Sequence, residues 1–223
     1  MNNRELESRM IKAVVFDMDG VIAETENMHI EAEKQTMLKY GIKISEDELH
    51  LYTGTTAKVM FTDLIKKYKL KTTFEQIFSE KEKILDNMLE EGVKPTKGVI
   101  NLLLQLKKRK IKLAVASSSH RKMIEQVLKK VRIIDLFDSI IGAEDIDRSK
   151  PDPQIFLMSA KRLKVRPEEC WVVEDSKFGV EAAKRAEMKC LGYVNPSSGR
   201  QDLSKADLII DDFRKIDVDR LVE

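Results

Sequence analysis

Six short apolar runs recur along the chain and are typical of strands in a parallel sheet. Their β-branched residues and their lack of polar alternation indicate strands that are buried on both faces. The runs lie at residues 13–16, 112–116, 139–141, 170–173, 190–194 and 208–210.

Apolar residues at helical spacing lie between these runs. The three clearest stripes are Val99, Leu102, Leu103 and Leu106; Met123, Val127 and Leu128; and Ile155, Phe156 and Leu163. Strands that alternate with helices imply right-handed crossovers and a doubly wound α/β fold with a parallel sheet. In such folds, ligands bind beyond the carboxyl ends of the strands.

A purely helical stretch of about seventy residues interrupts this alternation between the first and second strands. Gly41 ends its first helical pattern, Ser45 to Glu48 form a capping-box start, and two more helices are predicted near 57–69 and 74–91. A stretch of about seventy residues is longer than an ordinary crossover connection between two strands. We therefore expect an inserted helical unit.

The composition excludes several classes of function. The 223 residues are 42% hydrophobic and 35% charged, and the net charge of only +2 gives no reason to expect nucleic acid or an anionic membrane as a partner. The N-terminus is charged where a signal peptide would be apolar, so we expect a cytoplasmic protein. Cys170 and Cys190 have no zinc-binding spacing and are predicted to be inert core thiols.

Four acidic residues follow predicted strands. Asp17 and Asp19 end the first run, and Glu174 and Asp175 end the fourth. A solvated strand end with a turn at Asp19 is the alternative for the first pair. If the strands are neighbours, these carboxylates converge, and two of them about 4 Å apart repel by about 4 kcal/mol at an effective dielectric of 20. Such a cluster needs a proton or a cation, and oxygen ligands alone favour Mg²⁺.

Two further segments suit a phosphate beside that cation. Ser117, Ser118 and Ser119 follow the second strand and precede a helix, where hydroxyl and N–H groups can bind an anion. Lys150 lies next to two prolines that restrict its backbone. Each segment alone has an ordinary alternative, a helix N-cap for the serines and a solvated side chain for the lysine.

Four motifs, taken together and in order, carry a family resemblance. DMDGVIAETE, VASSS, SKPDP and VVEDSKFG resemble those of the haloacid dehalogenase superfamily, and more narrowly of its β-phosphoglucomutase-like phosphatase branch. In that branch a helical cap is inserted after the first strand. The resemblance covers nearly the whole chain and implies a Rossmann-like core of residues 1–24 and 94–223 with a helical cap of residues 25–93.

The resemblance implies catalytic roles for five residues. Asp17 would be the nucleophile that forms an aspartyl phosphate, and Asp19 the general acid and base. Ser117 would bind the transferring phosphoryl group with the help of Ser118. Lys150 would neutralise charge on that group.

The resemblance also implies a Mg²⁺ site and a residue near the cap. Asp17, Asp19 and Asp175 would hold Mg²⁺, with Glu174 as an additional ligand or directly behind the ligands. His29 matches a histidine common in this branch near the junction with the cap. A structural role on a helix face is the alternative for His29.

The chain departs from the family pattern at two places. Glu187 stands where a glycine usually ends a helix, so a left-handed backbone there would be strained. In the sequence TGTTAKVM, Ala57 stands where true mutases of this branch have an arginine, and Lys58 would point about 100° away on a helix.

These observations predict a Mg²⁺-dependent phosphatase that hydrolyses a small phosphorylated metabolite, such as a sugar phosphate, through an aspartyl phosphate. The alternative is β-phosphoglucomutase, which interconverts hexose 1- and 6-phosphates. A response-regulator receiver also accepts a phosphoryl group on an aspartate. It needs neither a second acidic residue two positions later nor a helical insertion. The sequence leaves the oligomeric state open, a monomer included.

Overall fold

The computed structural model of the protein describes residues 10–222. The first nine residues, which hold most of the charged N-terminal stretch, lie outside the described residues, as does Glu223. Six parallel strands form one sheet in the order β3-β2-β1-β4-β5-β6. They are β1 (Ala13–Phe16), β2 (Lys112–Ala116), β3 (Ser139–Ile141), β4 (Cys170–Glu174), β5 (Lys189–Tyr193) and β6 (Leu208–Ile210).

This order confirms the predicted doubly wound α/β fold, because it is that of the Rossmann architecture. Each predicted strand is present, and only the bounds of β4 and β5 differ, by one residue at the end of β4 and by one residue at each end of β5. The described helices are α1 (Glu26–Lys39), α2 (Glu46–His50), α3 (Ala57–Tyr68), α4 (Phe74–Glu91), α5 (Val99–Lys108), α6 (Arg121–Lys130), α7 (Gln154–Leu163), α8 (Lys177–Arg185) and α9 (Val218–Val222).

The two faces of the sheet carry separate hydrophobic layers, because successive residues of a strand point to opposite faces. Val14 and Phe16 of β1 pack in the layer that contains the apolar stripes of α5 and α6. Ala13 and Val15 pack in the layer that contains those of α7 and α8. Cys170 and Cys190 are buried as free thiols in this second layer.

Helices α1 to α4 all lie between β1 and β2 in the sequence and have a hydrophobic cluster of their own. Its most buried members are Met37, Leu49, Phe61, Leu64 and Ile77. Side-chain caps begin three of these helices, at Ser45, Thr56 and Thr73. We call residues 25–93 the helical insertion, and their independence as a domain stays a prediction. No helix within residues 10–222 has both the length and the apolar content of a membrane span.

The register of the sheet brings the carboxyl ends of three strands side by side. Phe16 of β1 is paired with Val115 of β2 on one side and with Val173 of β4 on the other. The residues that directly follow these strands therefore share one edge of the sheet. This edge includes the point where the strand order reverses, at which ligands bind in open α/β folds.

Glu187, which stands where the family usually has a glycine, adopts a left-handed backbone conformation. Its φ is +59°, and the following amide of Met188 donates to the carbonyl oxygen of Ala183 in the last turn of α8. The side chain of Glu187 is exposed. The backbone strain at Glu187 therefore comes from its Cβ atom in the left-handed conformation, and not from the loss of a side-chain contact.

We expect Glu187→Gly to raise the free energy of unfolding by about 0.5–1 kcal/mol, because glycine adopts positive φ without a Cβ penalty. Urea unfolding monitored by circular dichroism measures the change. Glu187→Ala is the matched control, since it removes the carboxylate and keeps the Cβ. An equal gain in stability from the alanine variant would show that charge, and not backbone strain, limits this position.

Candidate active site

Asp17 is the first residue beyond β1 and is buried at the carboxyl edge of the sheet. Its N–H donates to the carbonyl oxygen of Val173 at 2.9 Å, which fixes the backbone against β4. The carboxylate oxygen Oδ1 accepts a hydrogen bond from Lys150, whereas Oδ2 has no hydrogen-bond partner within residues 10–222. One oxygen of Asp17 is therefore held in place and the other is left for a ligand.

Lys150 is a fully buried cation held between two carboxylates. Its Nζ lies 2.6 Å from Asp17 Oδ1 and 2.6 Å from Glu174 Oε1. Burial disfavours the ammonium, but the two carboxylates outweigh that effect and raise the pKa of Lys150. Glu174 is fixed in turn, since its Oε2 accepts from the N–H groups of Asp175 and Ser176 and from the Ser176 hydroxyl.

Asp19 accepts hydrogen bonds at both carboxylate oxygens. Thr25 and His29 donate to Oδ1 at 2.6 and 3.1 Å, and Ser117 and Ser119 donate to Oδ2 at 3.1 and 2.8 Å. Burial alone would raise the pKa of Asp19, but the contacts with His29, Thr25 and Ser119 outweigh it and hold that pKa below its usual range. Asp19 is therefore a carboxylate in this arrangement.

His29 links Asp19 to a buried lysine of the insertion. Its Nε2 lies 3.1 Å from Asp19 Oδ1, and its Nδ1 lies 3.1 Å from Lys81 Nζ. Because a lysine ammonium only donates hydrogen bonds, Nδ1 must accept, and the ring proton sits on Nε2 and points at Asp19. Lys81 also pairs with Glu82 at 3.1 Å. This chain of contacts fixes the orientation of the imidazole.

Asp175 completes the acidic cluster. Asn195 and Ser198 donate to its Oδ2 at 2.8 and 2.5 Å, and its Oδ1 has no hydrogen-bond partner in the described part of the chain. Burial and the nearby charge of Glu174 raise the pKa of Asp175 to about 7, against the opposing effect of the two hydrogen bonds. Burial likewise raises the pKa of Asp17 well above its usual range, despite the contact with Lys150.

A cavity of about 800 Å³ lies between this cluster and the helical insertion. Asp17, Asp19 and Asp175 border it on the side of the sheet, and the insertion supplies much of the opposite wall. The wall residues that matter below are Glu26, His29, Glu33, Ala57, Lys58 and Lys81. Burial raises the pKa values of Glu26 and Glu33 on this wall.

Two further hydrogen bonds between described residues join the insertion to the loops beyond β2 and β3. The Ser118 hydroxyl donates to the carbonyl oxygen of Gly54 at 2.9 Å, and the N–H of Thr56 donates to the Ser149 hydroxyl at 3.0 Å. Gly54 has a φ of +87°, and a Cβ there would lie 2.3 Å from the Ser176 hydroxyl oxygen. The closeness of this contact requires glycine.

The donor chemistry of the site fits Mg²⁺. Asp17, Glu174 and Asp175 are three buried carboxyl groups, and the Lys150 ammonium pairs with the first two of them, so acidic groups outnumber cations in this cluster. Among residues 10–222, Oδ2 of Asp17 and Oδ1 of Asp175 are the oxygens of this cluster that have no hydrogen-bond partner. Within residues 10–222 no three acidic, His or Cys side chains form a ready-made cage, but Mg²⁺ commonly binds through one or two carboxylates and keeps several waters.

Three predicted site residues have hydrogen-bond partners of their own. Both carboxylate oxygens of Asp19 accept hydrogen bonds, and its role as a metal ligand stays a prediction. Both oxygens of Glu174 also accept hydrogen bonds, which suits the place directly behind the ligands that was one of its two expected positions. The hydroxyl of Ser118, which is predicted to assist with phosphate, donates to the carbonyl oxygen of Gly54 in the insertion. Ser119 is the second serine of this run that contacts Asp19.

Both Ala57 and Lys58, which are adjacent at the start of α3, border the cavity. The reason is that the start of α3 as a whole faces the cavity, so a rotation of one residue does not remove a side chain from the wall. A cation is therefore available on this wall in spite of the alanine.

Sequence reasoning missed several residues that contact the site. Glu26 and Glu33 stand seven residues apart on α1 and are both buried, and such polar residues on a buried helix face were the available signal. Asn195 and Ser198 follow β5, so the rule that ligands bind beyond the ends of strands would also have pointed to them. For Lys81, no local pattern in the sequence distinguishes it from surface lysines.

Comparison with known proteins was made on both sequence and structure. The sequence profile described as haloacid dehalogenase-like hydrolase matches residues 14–193. A phosphorylated carbohydrates phosphatase from Thermotoga maritima is 33% identical over 180 residues, which are 79% of this chain and 82% of that protein. A β-phosphoglucomutase from Bacillus subtilis is 30% identical over 209 residues, 90% of this chain and 89% of that one.

A solved structure supports the same relationship. A CbbY variant from Rhodobacter sphaeroides, crystallised with xylulose-(1,5)bisphosphate, superposes with a TM-score of 0.85 at 26% identity. The superposition covers 93% of this chain and 97% of that one. The similarity thus extends over both the sheet and the helical insertion.

We expect Lys150→Met to lower the free energy of unfolding by about 3–5 kcal/mol at pH 8, because it leaves two buried carboxylates without their cation. The loss should be smaller at pH 5. Carboxyl groups whose pKa values are raised in the folded state, such as Asp175 at about 7, take up protons below that pH and relieve the repulsion. Urea unfolding at the two pH values measures the difference.

The double variant Lys150→Met with Asp17→Asn is the control for this effect. It removes one of the two carboxylates that contact Lys150 and should recover part of the lost stability at pH 8. A loss of equal size at pH 5 and pH 8 would contradict the electrostatic explanation and indicate a packing defect.

Proposed function

This chain belongs to the haloacid dehalogenase-like hydrolase family, and from that premise we propose that it hydrolyses a small phosphorylated carbohydrate through an aspartyl phosphate on Asp17. Its phosphatase relatives support a phosphoric monoester hydrolase. The observation that carries the proposal is the pair of oxygens of Asp17. Lys150 holds Oδ1 at 2.6 Å, and Oδ2 has no hydrogen-bond partner among residues 10–222, while Asp17 borders the cavity.

In the first half of the proposed reaction, Asp17 Oδ2 attacks the phosphorus atom. The new O–P bond forms as the bond from phosphorus to the alkoxide oxygen breaks, and the alkoxide takes a proton from Asp19. We assign to Lys150 and the Ser117 hydroxyl the offset of charge on the phosphoryl oxygens. The product of this half is an alcohol and the aspartyl phosphate.

In the second half, a water molecule attacks the phosphorus of the aspartyl phosphate and returns Asp17 as a carboxylate. Asp19 accepts the proton of that water, so over the cycle it regains the proton that it gave to the alkoxide. The four hydrogen bonds that favour an ionised Asp19 suit this half. The first half needs a protonated Asp19, and we assign it to an arrangement in which the contact with His29 is released.

Mg²⁺ fits the site as the proposed cofactor, held by Asp17 and Asp175, where it would offset the excess negative charge and polarise the phosphoryl group. Burial raises the pKa of Asp17 despite the contact with Lys150, and a bound cation would favour the carboxylate form that must attack.

We propose that the helical insertion acts as a cap that encloses the substrate. It forms a wall of the cavity, and the junctions at Gly54 and Thr56 tie it to the loops beyond β2 and β3. Hydroxyl groups of a carbohydrate could pair with Glu26 and Glu33, whose carboxyl groups accept and, when protonated, donate hydrogen bonds. The phosphorylated carbohydrates phosphatase relative supports this class of substrate.

The mutase is the second candidate, and the cavity wall is the observation that bears on it. A mutase must hold a bisphosphate by its distal phosphate, which an arginine does well because it donates two parallel hydrogen bonds. Ala57 lacks that group, whereas Lys58 offers a single charge. The relative named β-phosphoglucomutase keeps this alternative open to experiment.

We expect Asp17→Asn to reduce turnover of a phosphomonoester by at least about a thousandfold, because an amide oxygen cannot replace the nucleophilic carboxylate. The side-chain volume is unchanged, so the circular dichroism spectrum and a cooperative melting transition should be preserved. Phosphate release from p-nitrophenyl phosphate measures the loss. Asp135→Asn, which changes an exposed aspartate, is the matched control, and substantial activity in the Asp17 variant would refute the assignment.

We expect β-glucose 1-phosphate, supplied with a trace of its bisphosphate, to yield free phosphate at least about ten times faster than glucose 6-phosphate. The charge-assisted contact that Ala57 lacks is worth about 1.5–3 kcal/mol, or roughly ten- to hundredfold. Ala57→Arg should shift the product ratio toward glucose 6-phosphate. Faster formation of glucose 6-phosphate by the unaltered protein would establish the mutase, and its loss in Lys58→Ala would identify the anchor.

A further inference from the structure

The segment 195–199, sequence NPSSG, directly follows β5 and contacts the acidic cluster from the side opposite Lys150. We propose that Asn195 and Ser198 are positioning residues that hold Oδ2 of Asp175 and so direct Oδ1 toward the bound Mg²⁺. This inference rests on the proposed function, in which Asp175 is a Mg²⁺ ligand. Nothing in the family resemblance assigns a role to this segment.

The hydrogen bonds of the segment form a closed set around one oxygen. Asn195 Nδ2 donates to Asp175 Oδ2 at 2.8 Å and to the Ser198 hydroxyl oxygen at 2.7 Å, and that hydroxyl donates to the same Oδ2 at 2.5 Å. The orientation of the Asn195 amide is determined, because its Oδ1 accepts from the N–H of Ser197 at 3.0 Å. Ser198 is fully buried.

Gly20 provides the space for this arrangement. A Cβ at Gly20 would lie 2.2 Å from Asn195 Nδ2 and 2.3 Å from Asp175 Oδ2, and the φ of Gly20 is +80°. A side chain at this position would therefore displace the contact that the proposal depends on. Position 20 therefore requires glycine, because a side chain there would collide with the segment that follows β5.

The segment is also fastened to the helix that follows Asp175. Gln201 Nε2 donates to the carbonyl oxygen of Ser198 at 2.7 Å, and Gln201 Oε1 accepts from the N–H of Lys177 at 3.0 Å. Lys177 is the first residue of α8 and stands two residues after Asp175. Ser198, which donates to Asp175, and Asp175 itself are therefore both fixed to the start of α8.

Loss of these donors should affect the cation more than the substrate. Without them, Oδ2 would be buried and unpaired, and the carboxylate could turn away from the orientation in which Oδ1 meets the cation. Partners behind a metal ligand typically contribute about ten- to hundredfold to metal affinity. We expect Ser198→Ala and Asn195→Ala each to weaken Mg²⁺ binding by about this factor.

The experiment is a calorimetric titration of Mg²⁺ into the unaltered protein, Ser198→Ala, Asn195→Ala and Ser197→Ala, each first shown to melt cooperatively without metal. Ser197 is the matched control, since it belongs to the same turn and its hydroxyl makes no hydrogen bond within residues 10–222. Hydrolysis of p-nitrophenyl phosphate across Mg²⁺ concentrations gives a second readout. The Mg²⁺ concentration for half activity should rise about ten- to hundredfold in the first two variants, with KM at saturating Mg²⁺ within about threefold.

The possible outcomes separate this inference from the proposed function. Mg²⁺ affinity equal to that of the unaltered protein in both Ser198→Ala and Asn195→Ala would overturn the positioning role alone. An equal loss in Ser197→Ala would also overturn it, because the effect would then belong to the turn as a whole. An unaltered protein that binds no Mg²⁺ and stays active in excess chelator would overturn the metal assignment and this inference with it.

Discussion

The buried Lys150 ammonium between Asp17 and Glu174 is the interaction on which the site depends. Charges can be removed from water only when their partners are fixed, and here Glu174 is fixed by two N–H groups and a hydroxyl. The pair Lys150–Glu174 therefore serves as a rigid support for Asp17. One oxygen of the proposed nucleophile is held by that support, and the other remains available to phosphorus.

Much of the fold and part of the site could be predicted from the sequence, because both follow from one rule. Buried strands in a parallel sheet have continuous apolar runs, and the side chains that come next gather at one edge. Asp17, Ser117 and Asp175 were placed by this rule, and the structure brings them to the same edge. Glu187 stands where the family pattern usually has a glycine, and its backbone has the positive φ that such a glycine suits.

The remainder depends on which atoms a side chain contacts, and sequence spacing does not determine that. Ser118 and Ser119 are adjacent and chemically identical, yet one hydroxyl contacts Gly54 and the other Asp19. Their difference arises from the direction in which the backbone turns beyond β2. Lys81 contacts His29 only because α4 packs against α1, so a contact across 52 residues decides its role.

The segment 195–199 connects the two halves of the site, since it contacts Asp175 on one side and the helical insertion on the other. The α1 helix packs against its turn, and the ring of His50 lies so close to Gly199 that a Cβ there would be 2.7 Å from Cγ. The proposed cation ligand Asp175 and the helical insertion on the other side of the cavity are therefore joined through one short segment.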